Sequence, residues 1–216
     1  MSLRHALLGI LSAAPLTGYD LVQYFRDSVG YVWSAPKSQI YPELRKMAEQ
    51  GLVGATMAPR GLRAQKRIYS ITEDGKEEFA RWAANRMEYP PDRDPLRLKA
   101  AFFDAAPFES ARDQLRAHLS HYTRRLAQWQ ERAASLRARQ TPLLQQRLKR
   151  RAEEDHDAIT EFKAFAFDGN IARATAEIAW AERGLVLIDE LEARQGRAGK
   201  KSPSQKTVAA SVARVP

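Results

Sequence analysis

Apolar residues recur along this chain at helical spacing, and the gaps between the runs mark its elements. In residues 2–14 the stripe is Leu3, Ala6, Leu7, Ile10 and Leu11, closed by Pro15. Thr17-Gly18-Tyr19-Asp20 has the form of a helix N-cap, with Asp20 as a short substitute for the capping-box glutamate. It opens a second helix with Leu21, Tyr24, Phe25 and Val29 on one side, ending at Gly30. After Tyr31, Val32 and Trp33 comes a third, in which Ile40, Leu44 and Met47 fall at i, i+4 and i+7. Ser34 suits its cap, Pro36 its first turn and Gly51 its end. Pro42 removes one backbone bond inside it, so some distortion is expected there. Residues 52–58 and 66–72 then read as two strands around a turn, with Tyr69 and Ile71 on one face. Thr72 caps a fourth helix that runs through Trp82 to Met87.

Proline and charge interrupt the pattern before Leu96, and a short apolar helix with Phe102 and Phe103 follows, ended by Pro107. Residues 109–139 are long and helical. Leu115, Leu119, Tyr122, Leu126, Trp129, Ala133 and Leu136 are spaced alternately four and three apart, a heptad seam. Thr141-Pro142 breaks it. The next segment, to Phe167, has Leu144, Leu148, Ile159, Phe162 and Phe165 on its apolar side. Gly169-Asn170 reads as a turn, and a last helix carries Ile171, Ile178, Leu185, Ile188 and Leu191. The fold class is therefore mostly α with a small β-hairpin. The expected domains are residues 1–88, a linker at 89–95, a helical domain at 96–195, and a disordered basic tail at 196–216.

Three helices and a hairpin, in that order, are the elements of a winged helix-turn-helix. Its third helix enters the major groove of double-stranded DNA, and its wing meets phosphates or the minor groove. On this reading Lys37, Ser38, Gln39, Tyr41, Pro42, Arg45 and Lys46 face the duplex, since donor-rich side chains read base edges and phosphates. Arg60, Arg63 and Lys66 lie on or beside the wing tip.

The same stretch resembles the PadR family of bacterial transcriptional regulators. The resemblance is carried by Leu7-Leu8-Gly9-Ile10-Leu11, Pro15-Leu16-Thr17-Gly18-Tyr19-Asp20-Leu21, Trp33, Ile40-Tyr41-Pro42-Glu43-Leu44, Glu49-Gln50-Gly51-Leu52-Val53 and Arg67-Ile68-Tyr69-Ser70-Ile71-Thr72. It makes Pro42 part of a family pattern. It implies a dimeric, mostly repressive DNA-binding protein with helical dimerisation elements. The C-terminal half is similar, in arrangement more than in motif, to the virulence-activator (AphA-like) helical domain of one branch.

Charge refines this picture. The net charge is +9, but residues 194–216 hold 6 basic and no acidic side chains. Locally, residues 35–70 carry 7 basic against 2 acidic side chains, which is where a duplex would sit. The tail either adds nonspecific attraction to phosphate or is an inert solvated end. There is no Cys, so thiolate metal sites and Cys catalysis are excluded. No apolar run suits a membrane span and no signal peptide is evident, so a cytoplasmic, nucleoid-associated protein is expected. No phosphate-cradling glycine loop is present, and an enzyme is not expected. His118 and His121 are i, i+3 on one helix. They read as a surface pair, and no metal or cofactor is expected. The run from Arg147 to Arg151 reads as a solvated helix face with i,i+4 partners.

Together these features predict a homodimeric DNA-binding regulator, a repressor by resemblance. The dimer is expected through Leu115, Leu119, Tyr122, Leu126, Trp129, Leu136, Ile178, Leu185 and Ile188. A small apolar or aromatic effector is expected near Trp33, Trp129, Phe162 and Trp180, although core packing is the commoner use of such residues. The alternatives are a small-molecule sensor or a helical protein-interaction module in which DNA binding is secondary.

Overall fold

Leu7, Leu8, Ile10 and Leu11 cover a wide arc of α1 (Leu3–Leu11), and all four are buried. A helix apolar over so wide an arc needs neighbours on more than one side, and the rest of the N-terminal region supplies them. The computed structural model describes residues 3–31, 35–60, 64–89, 91 and 93–200. Leu21 and Phe25 of α2 (Gly18–Asp27), Ile40, Leu44 and Met47 of α3 (Lys37–Glu49), and Tyr69 complete one core with α1. Thr17 caps α2, its Oγ1 accepting from the Asp20 amide at 3.1 Å. That hydroxyl also donates to the Asp20 carboxylate at 2.7 Å. The aspartate thus meets the cap's hydroxyl, where a glutamate would reach back to the cap's amide. Ser34 lies outside the described residues. The N-cap of α3 is Pro36, which makes no side-chain cap bond.

The hairpin is part of a three-stranded antiparallel sheet of order β1-β3-β2, with β1 at Leu16–Thr17, β2 at Val53–Arg60 and β3 at Ala64–Ile71. The register runs from Val53 opposite Ile71 to Arg60 opposite Ala64. β1 pairs Leu16 with Tyr69 and Thr17 with Ile68. A capping residue already has extended backbone, φ −69° and ψ 157° at Thr17, so the cap of α2 doubles as a strand residue. Thr72 caps α4 (Glu73–Ala84) through the Gly75 amide at 3.1 Å and ties it to the Gly51 carbonyl at 2.6 Å.

The helices that follow are α5 (Pro95–Ala100), α6 (Phe108–Arg137), α7 (Pro142–Leu148) and α8 (His156–Lys200). The chain forms two compact units, Met1–Pro91 with Leu126–Ala172, and Asp92–Arg125 with Arg173–Pro216. In the first, Leu143 of α7 joins the core of the winged helix. In the second, Ala111 and Leu115 of α6 pack with Ala181 and Ile188 of α8.

Three expectations need correction here. Gly169-Asn170 does not turn the chain, because α8 is one helix of 45 residues. A glycine inside a helix costs only about 1 kcal/mol against alanine, and the helix formers on both sides outweigh it. Residues 196–200, expected to be disordered, belong to α8, and residues 201–216 lie outside the described part. Phe162 and Phe165 do not lie on the buried side: they are 75% and 69% exposed. The buried stripe of α8 is Thr160, Ala164, Phe167, Ala174, Glu177, Ala181 and Ile188. Small residues let helices approach closely, so the contact face of α8 is its small-residue face and not its bulkiest one.

Candidate nucleic-acid interface and an open cavity

α3 divides its side chains as its pattern requires. Ile40, Leu44 and Met47 are buried, while Lys37, Ser38, Gln39, Tyr41, Pro42, Arg45 and Lys46 are exposed. The helix runs unbroken through Pro42. Tyr41 lies over α2: a Cβ on Gly18 would come within 2.8 Å of its ring, so a glycine is needed there for the ring to fit. Glu43 is occupied by Arg4 of α1 at 3.1 Å. Lys37, Arg45 and Lys46 make no ion pair among the described residues and present their charge outward.

On the wing, Lys66 is exposed on β3 opposite Ala58. Arg63 and the side chain of Arg60 lie outside the described residues. Two candidates were not singled out in the sequence. Tyr19, at the start of α2, is 63% exposed and accepts a hydrogen bond from Gln23 Nε2 at 3.0 Å. Arg67 on β3 sits over the Tyr69 ring at 5.5 Å. Their signal was their place in the helix-turn-helix order and in the family-like stretches around Gly18 and Ile68.

A cavity of about 720 Å³ opens within the same unit, lined by α1, α4, α6, α7 and α8. His5 stacks flat on Trp82, with centroids 4.9 Å apart, and its Nε2 lies 3.1 Å from Glu78 Oε1. Four cations line the cavity, Arg132, Arg147, Arg151 and Lys163. Arg147 is not on a solvated face, as expected from the sequence: it turns inward and donates to Ser12 Oγ at 3.1 Å. Burial first, then Arg151, lowers its pKa. Burial, then Arg147 and Arg132, pushes the Lys163 ammonium down to about 8. Phe162 lines this space, whereas Trp129 and Trp180 do not, and Trp33 lies outside the described residues.

The depressed lysine has a consequence for stability. Between pH 8 and the ordinary lysine value the unfolded chain binds more protons than the folded one, so stability rises with pH across that window. Lys163→Met removes the cost of holding the charge. It should stabilise the unliganded protein at pH 7 by on the order of 2 kcal/mol, discounted for the partial exposure of the head. Urea unfolding at pH 7 and pH 10 checks this: the gain should shrink at the higher pH.

The residues expected to hold a dimer are largely covered within one chain. Leu115 and Ile188 share a cluster flanked by Leu119 and Leu185. Trp129 and Leu136 are buried, and Tyr122, Leu126 and Ile178 are half-buried. The seam was legible, but an apolar stripe does not say which helix covers it. Beside the second unit's cluster, Glu177 is buried and receives Arg97 through two bonds of 2.9 and 3.3 Å, with His118 Nε2 at 3.1 Å. Among the described residues no group of His, Asp and Glu could hold a metal, and no helix is long and apolar enough to cross a membrane.

Comparison with known proteins agrees with this geometry. The model of the transcriptional regulator PadR-like family matches residues 7–81. The chain is 32% identical over 142 residues to the negative transcriptional regulator PadR of Bacillus subtilis, spanning 65% of this chain and 78% of that protein. The crystal structure of Bacillus subtilis PadR in complex with operator DNA is similar with a TM-score of 0.67 and 27% identity, covering 86% of this chain and 97% of that one. The same protein in complex with p-coumaric acid gives 0.65 and 28%, over 87% and 98%. The Vibrio cholerae virulence activator AphA gives 0.65 and 28%, over 88% and 99%.

Proposed function

This chain belongs to the PadR-like family of transcriptional regulators, and from that premise we propose that it represses by binding an operator as a homodimer. It is a DNA-binding winged-helix regulator and not an enzyme. The observation that carries the proposal is the split of α3, three buried apolar residues on one side and an outward face of Lys37, Ser38, Gln39, Arg45 and Lys46 on the other. Ser38, Gln39 and Arg45 are assigned to base edges, Lys37 and Lys46 to phosphates, and Arg60, Arg63 and Lys66 to the backbone beside the wing. Tyr41, held over Gly18, positions α3 against α2. Repression is supported by the activity named for the Bacillus subtilis relative.

A two-fold dimer would place its two recognition helices about 34–36 Å apart on one side of the duplex. The second unit leaves Leu98, Phe102, Val186 and Leu187 more than half exposed, apolar surface that a second copy would cover. The cavity beside α1 and α4 is the proposed effector site. Its size falls within the range of small-molecule pockets, and the relative solved with p-coumaric acid supports an aromatic acid there. A ligand that fits one arrangement of the winged helix better than another shifts operator affinity.

Selection of bound fragments from genomic DNA would define the site. On a selected site, Gln39→Ala or Arg45→Ala should each lose about 1–3 kcal/mol of discrimination against random DNA. Lys46→Ala should weaken both alike and reduce the salt slope by about one. Unchanged binding in both Gln39→Ala and Arg45→Ala would mean that α3 does not face the bases.

A further inference from the structure

We propose that the cavity takes an apolar ligand whose head carries two adjacent negative charges, as in an aryl phosphate or a paired aromatic dicarboxylate. The proposal rests on reading the cavity as an effector site and specifies the class of effector. The apolar part of the wall includes Phe79, Trp82, Leu136 and Leu143, which suits a flat hydrocarbon body. The charged part is one-sided. Among the described residues Asp155 is the only acid in the lining, and Arg151 holds it through two bonds of 2.7 and 3.0 Å.

Two cations therefore face the space without an acid partner. Lys163 makes no hydrogen bond or ion pair among the described residues. Arg147 is bonded only to the neutral hydroxyl of Ser12. They come from different helices and repel each other, since Arg147 is among the groups that depress Lys163. Arg132 adds a third positive charge nearby. The other titratable wall group is His5, engaged by Glu78. A ligand with one negative charge leaves one buried cation uncompensated, which is costly. A dianion compensates both, and phosphate oxygens suit the planar fork of an arginine beside a lysine.

Calorimetric titration of the full chain at pH 7 with three probes sharing one ring system tests this: 1-naphthol, 1-naphthoate and 1-naphthyl phosphate. The phosphate should bind at least ~10-fold more tightly than the carboxylate, and the carboxylate more tightly than the alcohol. Lys163→Met should erase most of the preference for phosphate, and Lys163→Arg should keep it. Thermal melts will show that both variants are folded. Lys46→Ala should leave all three affinities unchanged, which separates the cavity from the DNA-facing cations. Equal affinity for phosphate and carboxylate, or a preference that survives Lys163→Met, would overturn the dianion. Failure of every probe to bind would overturn both the dianion and the cavity as a ligand site. Tight phosphate binding that leaves operator affinity unaltered would keep the dianion site and sink the effector reading alone.

Discussion

Arg97→Ala is expected to cost about 3 kcal/mol and to weaken how stability responds to acid. Glu177 is 7% exposed, and its carboxylate is balanced by a two-bond contact from Arg97 and by His118. Arg97 is itself 45% exposed and lies over the Trp180 ring at 4.9 Å, so the cost sits at the low end for a broken buried pair. Burial alone would raise the Glu177 pKa, but the bonds from Arg97 and then His118 outweigh it and hold it below the usual carboxylate range. A depressed acid contributes stability that is present above its unfolded pKa and lost as pH falls through its folded one. The native protein should therefore weaken at this site on acidification. In Arg97→Ala the largest lowering influence is gone while His118 and Arg173, 3.8 Å away, remain, so the loss of stability on acidification should shrink. Urea unfolding at pH 7 and pH 4 measures both. A variant that loses stability on acidification as the native protein does would show that Arg97 does not set the state of Glu177.

Gly75→Ala should be at least as damaging, on the order of 4 kcal/mol, a size reserved for clashes with no room to relax. Its Cβ would stand 2.1 Å from the Leu52 carbonyl oxygen and 3.0 Å from Ile71 Cγ1. That carbonyl already accepts from the Thr72 amide at 3.2 Å, so backbone on both sides is fixed. The whole of α4 would have to move, and with it Phe79 and Trp82 of the cavity wall. Thr72→Ala loses the cap and the exposed bond to the Gly51 carbonyl and should cost about 1–2 kcal/mol. Chemical denaturation of the two variants separates them. Similar losses would mean that α4 slides easily at its start.

What the sequence showed, it showed where the signal is local. The caps at Thr17 and Thr72 are decided within four residues, and the two faces of α3 within eleven. The wing followed from turn residues between two strand-like runs. β1 was invisible, because two residues have no periodicity and their partners lie some fifty positions away. The continuity of α8 was missed because Gly-Asn is a turn signal whose small cost a long helix absorbs. Ranking positions by hydrophobic size chose Phe162 and Phe165, while the helix buries Ala164, Ala174 and Ala181. The cavity was out of reach for a different reason. Lys163 and Arg147 look like ordinary surface cations in one dimension, and only packing of α6, α7 and α8 around them removes their solvent.

The order β1-β3-β2 also bears on how the protein stays dispersed. An unpaired strand edge is a template on which a strand from another molecule can grow. Here one edge is a strand of two residues, too short to recruit a neighbour. The other is β2, and Pro59 near its tip has no N–H to offer. The wing can thus project toward a charged duplex with one edge too short to extend and the other interrupted by a proline near its tip.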